Sequence, residues 1–348
     1  MSLVAALAAC GGGGGSDSGP ANTPPAPAPA QVSSAGTLQT TAPSPTYAAS
    51  SALLSAYDAL ATVRQNAGAG LLVQNADLDI SATAHATYLI ANQAGGVTHT
   101  EDSTLPDFYA TDFVARETKA GFSGFLKAET IIGMGVLTSG DPQSGTACVL
   151  NLMDTVYHAA SLLSPVTYVG LGVVEGPNSA GYPLMMCVQD MGTAAADTTG
   201  QIPASGALVA YPYAGQSNVL ETFQVSAESP RPPVAVLPNV TAGTPIVVSM
   251  RNADYVNAEQ ANTLVPTVTA FTLKDGSGNL VPAVILAFPA LQGSAGVTLN
   301  ADGNLPDGFT ALVPVSPLLK GQTYTVTFSG TLGAGAALSK TWSFTTNN

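Results

Sequence analysis

The sequence predicts an α+β protein in two parts, with helices and one hairpin up to about residue 197 and strands alone from about 234. Three observations carry that expectation. Apolar residues recur at helical spacing between Leu53 and Leu89, and again between Cys148 and Leu163. Beyond Pro238 the apolar period drops to two, with turn residues separating the runs. Between these regimes, residues 198–233 are Ala-rich, then carry Tyr211-Pro212-Tyr213, and end in Pro230-Arg231-Pro232-Pro233, which reads as a linker.

In chain order, Leu53, Leu54, Tyr57, Leu60, Ala61 and Arg64 form one helical stripe, and Gly68 and Gly70 punctuate its end. Asn75 can cap a second helix running to about Asn92. Its inner stripe is Leu78, Ala82, His85, Ala86 and Leu89, so His85 reads as a core or site-floor residue. Leu105 to Lys119 mixes signals and predicts a short helix with a loop. Cys148 to Leu163 predicts a single helix that Pro165 stops. His158 projects off its apolar stripe, with Asp154 four residues earlier on the same flank. Thr167–Glu175 alternates, Gly176–Ser179 turns and Tyr182–Met191 returns, which predicts a β-hairpin packed on helices. In the last part, Ile246–Val248, Thr267–Leu273, Leu280–Leu286, Ala311–Pro314 and Tyr324–Phe328 read as strands of a β-sandwich whose core takes Trp342. Asp275–Asn279 and Asp302-Gly303-Asn304 lack the sixth-position Gly and twelfth-position Glu of a calcium loop, so both read as plain turns.

Only nine Lys and Arg residues and a net charge of −13 exclude nucleic acid as a partner and disfavour an anionic membrane surface. No HExxH, GxSxG or phosphate-binding loop occurs. Residues 1–9 end in Leu7-Ala8-Ala9 and are followed by Cys10, a pattern that resembles the remnant of a bacterial lipoprotein signal. That resemblance implies lipidation of Cys10, a membrane contact through the lipid anchor, and export to the periplasm or outer membrane. Residues 10–46 are a Gly/Pro/Ala tract that is expected to be a disordered tether.

The order of motifs across about residues 50 to 193 resembles the bacterial form of the CAP superfamily (cysteine-rich secretory proteins, antigen five, pathogenesis-related one). The residues are Ala82-Thr83-Ala84-His85-Ala86, His99-Thr100, Gly121-Phe122, Ala128-Glu129-Thr130-Ile131, Tyr157-His158, Val169-Gly170-Leu171-Gly172-Val173 and Cys187-Val188-Gln189-Asp190-Met191-Gly192. Thr130, Ala159 and Met191 stand where the family has Asn, Arg and an aromatic residue. The resemblance implies a CAP-type α/β/α sandwich over residues 47–197. The tail, 234–348, resembles a bacterial Ig-like domain in Pro317–Val326 and Trp342–Thr346. By resemblance, His99, Glu129 and His158 converge in one cleft, either to hold Zn²⁺ or another divalent cation or as a structural hydrogen-bond cluster. The family's second carboxylate has no clean match, and Asp154 and Glu101 are candidates by sequence proximity alone. The helix and strand that a CAP fold packs together carry Cys148 and Cys187, which are expected to form a disulfide in an exported chain.

These expectations favour a lipid-anchored binding protein over an enzyme, with a lipid-like molecule or a partner protein as ligand. Two other classes stay open: a hydrolase using the metal or the His/Glu pair, and a surface display or adhesion protein acting through the Ig-like domain.

Overall fold

The structure, a computed structural model, describes residues 31–348 except 179, 198 and 334–336. The expected signal remnant, Cys10 and the first stretch of the tether lie outside the described residues. Ser51 opens helix α1 (Ala52–Ala67) by accepting the Leu54 N–H, and Gly68, at φ +85°, closes it. The short strand β1 (Val73–Gln74) leads to Asn75, whose side chain accepts from Asp77 and Leu78 to start α2 (Ala76–Ala91). Helix α3 (Phe113–Ala120) and strand β2 (Gly124–Gly135) follow, then α4 (Gln143–Met153), α5 (Tyr157–Leu162) and the hairpin β3 (Tyr168–Pro177) and β4 (Pro183–Ala194). The four strands form one sheet in the order β1-β3-β4-β2, antiparallel except for β1 beside β3.

The period of two along β4 divides the core. Met185, Cys187 and Met191 face Leu60 and Val63 of α1 and Leu152 and Met153 of α4. Met186 and Val188 face Ala82, Ala86 and Leu89 of α2. Each fully buried Leu among them contributes roughly 1.5–3 kcal/mol. Gly170 and Gly172 let α2 lie close on the sheet. A Cβ at Gly170 would fall 2.1 Å from the Leu78 carbonyl carbon, and one at Gly172 2.3 Å from that of Ala82. Cys148 on α4 and Cys187 on β4 are disulfide-bonded at a Cα–Cα distance of 6.4 Å, as expected. In the chain-entropy model a loop of this length stabilises by ~3–4 kcal/mol.

The remaining strands are β5 (Val209–Tyr211), β6 (Phe223–Gln224), β7 (Thr241–Ala242) and β8 (Ile246–Ser249), then helix α6 (Ala253–Gln260), then β9 (Thr267–Lys274), β10 (Ala283–Ala287), β11 (Gln292–Gly293), β12 (Asn300–Ala301), β13 (Phe309–Pro314), β14 (Thr323–Thr331) and β15 (Ala337–Thr345). One sheet runs β12-β10-β13-β8-β5 and a second runs β11-β9-β14-β15. Ile246, Val248 and Leu312 of the first pack with Phe271, Val326 and Phe328 of the second, and Trp342 joins that core.

Four expectations need correction. Helix 148–163 is broken: α4 stops at Met153 and α5 starts at Tyr157, because the buried Glu228 carboxylate accepts the backbone N–H groups of Val156, Tyr157 and His158. The stretch 198–233 is no free linker. It supplies β5 to the edge of a sheet, Pro212 to accept the Trp342 indole N–H at 2.7 Å, and Gln201 to bond Leu71 and Val166 carbonyls. Residues 31–46 are no free tether: Thr37 donates to Ile202, Gln39 to Gln201 and Val32 to Asn257. The strand-only tail holds α6, which Asn252 caps by accepting from Tyr255. Consequently Gln31–Asn348 is one compact unit. Leu152 and Val156 share a core cluster with Val247, Phe309 and Val313, and Tyr157 donates to Asp302 at 2.6 Å.

Candidate functional site

The site is built around Glu129 on β2. Glu129 stands opposite Asp190 on β4, so both carboxyl groups share the sheet face that α2 and α3 cover. Asp112 caps α3 by accepting the Ala115 N–H, and one turn on, α3 delivers Arg116 into the same layer. The fully buried Arg116 guanidinium donates to Glu129 Oε2 and to the His99 carbonyl, and lies 3.6 Å from Glu101 Oε1. Glu129 Oε1 meets His99 Nδ1 at 2.8 Å. Burial pushes the Glu129 carboxyl up, but the His99 bond and the Arg116 charge outweigh that and hold it below its ordinary value. An ionised Glu129 accepts from Nδ1–H and leaves His99 Nε2 as an acceptor on the neutral ring. The His99 side chain is 39% exposed, and Nε2 has no partner among the described residues.

Two further acids lie in this layer. Asp190 is fully buried with no hydrogen-bond partner for either oxygen among the described residues; burial and then the Glu129 charge raise it well above the carboxylate range. Burial pushes Glu117 up to about 7, against the pull of Lys127, whose Nζ is 3.0 Å away.

A cavity of about 850 Å³ opens beside His99 and Glu129. One wall comes from β2, where the ladder shifts register between Phe125 and Ala128 and Leu126 takes φ +51°. This bulge turns Phe125, Leu126 and Lys127 into the cavity wall. The opposite wall is Val265, Pro266 and Phe288, together with a polar group in which Arg251 pairs with Asp307 and Glu259, and Tyr255 donates to Asp307 at 2.6 Å. The cavity therefore lies between the helix-rich part and the β-sandwich.

The other expected site residues lie elsewhere. His158 lines a separate pocket of about 380 Å³ with Asp154, Thr155 and residues of 220–227. Its Nδ1 is 3.1 Å from Thr155 Oγ1 and 3.4 Å from Glu228 Oε1. Burial pushes Asp154 in that pocket up to about 7. Glu101 is bonded to His85 Nδ1 at 2.8 Å and to the Tyr109 and Ala110 N–H groups. His85 is fully buried and places its other nitrogen on the Thr98 carbonyl. The His99/Glu129/His158 convergence is thus corrected: two of the three meet and the third does not. This donor set does not fit a divalent ion. His99 and Glu129 bond each other, and no group of three His, Cys, Asp or Glu side chains able to hold a metal occurs among the described residues. Sequence reasoning missed Arg116, Asp190, the Arg251 group and Glu228. Asp190 alone left a local signal, an acid in the middle of an apolar strand.

Residues 57–218 match the model of the Cysteine-rich secretory protein family (CAP), so a CAP domain is present in this part of the chain. Among solved structures the chain is similar to an outer surface protein from Borrelia burgdorferi, at 15% identity and a TM-score of 0.28, over 40% of this chain and 89% of that one. No curated protein matches the chain.

Proposed function

We propose that this is an exported, Cys10-anchored CAP-domain binding protein that takes a small, mostly apolar molecule into the cavity between its CAP domain and an Ig-like β-sandwich. The carrying observation is that cavity: its volume of about 850 Å³ falls within the range of small-molecule sites, and its walls are mainly apolar with a few polar groups. The disulfide and the secretory family match support an extracytoplasmic location. No helix among the described residues is long and apolar enough to cross a membrane, and a lipid on Cys10 supplies attachment without one.

Titration with a pyrene-labelled dodecyl chain, read by fluorescence, tests the site. Val265→Trp narrows the cavity from its outer wall and is expected to weaken binding by about tenfold or more, whereas Leu319→Trp on a distant loop leaves it unchanged. Equal binding in the wild type and Val265→Trp would move the ligand elsewhere.

A further inference from the structure

The smaller pocket at His158 contains an acid without a counter-charge. Its volume is about 380 Å³, and Ile131, Ile132, Leu152, Leu220 and Phe223 make much of its wall apolar. Asp154 belongs to that wall and is only 8% exposed. Burial raises its carboxyl to about 7, and the group that pulls the other way is the neutral Tyr211 hydroxyl. Among the described residues no Lys or Arg lines the pocket. The other ionised group nearby is Glu228, whose carboxylate accepts from three backbone N–H groups and lies 3.4 Å from His158 Nδ1. Thr155 Oγ1 gives its proton to the Leu152 carbonyl, so at 3.1 Å it accepts from His158 Nδ1–H. That leaves Nε2 of the neutral ring as an acceptor. Asn151, Thr222 and Gln224 also line the pocket, but they are neutral and can bond a ligand of either sign. The sign is therefore set by the ionised groups, and both are carboxylates. Asp154 lost its water when the chain folded, so a cation arriving beside it sheds only its own water to gain the pairing.

We infer that this pocket is a second ligand site, which takes a small primary amine with an apolar body and seats its ammonium on the Asp154 carboxylate. A volume of about 380 Å³ lies at the small end of ligand sites, which suits a compact body such as phenylethyl. An ammonium brings a full positive charge and three N–H donors to a wall that supplies acceptors. An anion of the same size would meet Asp154 and Glu228 with no cation to receive it. The pocket shares no lining residue with the large cavity, so the inference stands apart from what that cavity binds.

The test is calorimetric titration of the whole chain with 2-phenylethylamine, 2-phenylethanol and 3-phenylpropanoate, which share a body and differ in charge. At about pH 8 the imidazole is neutral and the amine is charged. Salt at about 0.15 M keeps the net charge of −13 from gathering cations over the whole surface. The amine is expected to bind about tenfold or more tighter than the alcohol, and the carboxylate weaker than either. Asp154→Asn should bring the amine to the level of the alcohol, whereas Val265→Trp in the large cavity should leave all three unchanged. The wild-type ranking needs no variant and stands whether or not Asp154→Asn folds. An amine that binds no tighter than the alcohol, or does not bind, would overturn the inference. So would amine binding that survives Asp154→Asn in full and is lost in Val265→Trp, which would put the amine in the large cavity.

Discussion

Two of the three histidine–glutamate pairs among the described residues, His99–Glu129 and His158–Glu228, place an imidazole on a pocket wall and differ in what holds the glutamate. The third, His85–Glu101, is fully buried. At His99 the partner is Glu129, pinned by a buried arginine, and the imidazole keeps one nitrogen free beside the large cavity. At His158 the partner is Glu228, whose carboxylate is already committed to three backbone N–H groups at the start of α5. The first glutamate orients an imidazole and the second ends a gap between helices, with the imidazole beside it as an accessory. The pairing of two residue types therefore says little about role until the other partners of the carboxylate are known.

The sharpest way to break this contrast is to remove each carboxylate. Glu129→Ala leaves Arg116 buried without its closest partner and is expected to cost about 3–5 kcal/mol in denaturant unfolding. A loss below about 1 kcal/mol would mean that Arg116 finds Glu101 instead, at present 3.6 Å away. Glu228→Gln keeps one acceptor oxygen for the α5 N–H groups and is expected to cost less, about 1–3 kcal/mol. A larger loss than for Glu129→Ala would reverse the ranking of the two sites.

A pH titration of stability sharpens the comparison further. Glu117 has its folded value raised from 4.5 to about 7, so its contribution is fully present below 4.5 and is lost as pH rises to about 7. Asp154, raised from 3.8 to about 7 in the His158 pocket, acts in the same direction. Glu117→Gln and Asp154→Asn should each flatten part of the decline in melting temperature between about pH 5 and about 7. A wild-type melting temperature that rises through this window would contradict both assignments. The smallest expected effect is with Zn²⁺. Because His99 and His158 line different pockets, any zinc affinity measured by calorimetry should fall unequally in His99→Ala and His158→Ala. Equal and complete loss in both would restore a shared site.

What the sequence could show follows the distance to each partner. The caps at Ser51 and Asn75 and the stops at Gly68 and Pro165 are local, and the helices and hairpin of the CAP domain follow from them. Asn252, three residues ahead of Tyr255, was an equally local signal for α6, hidden by the period-two reading around it. The break in helix 148–163 was not legible, because the carboxylate that causes it lies 71 residues away from Tyr157. The same holds for the 31–46 and 198–233 stretches. Their composition reads as solvated chain, yet Gln39, Gln201 and Pro212 meet partners supplied by distant segments. At the site, His99 and Glu129 were legible as a pair, whereas Arg116, which fixes their geometry, sits on a helix with no apparent tie to them in sequence.

The most direct test of the account is a crystal structure with 12-bromododecanol bound, located by the anomalous signal of the bromine. The account predicts the bromine among Phe125, Val265 and Phe288, in the cavity between the two parts. A bromine in the pocket of His158 and Asp154, or on the outer surface of either part, would contradict it.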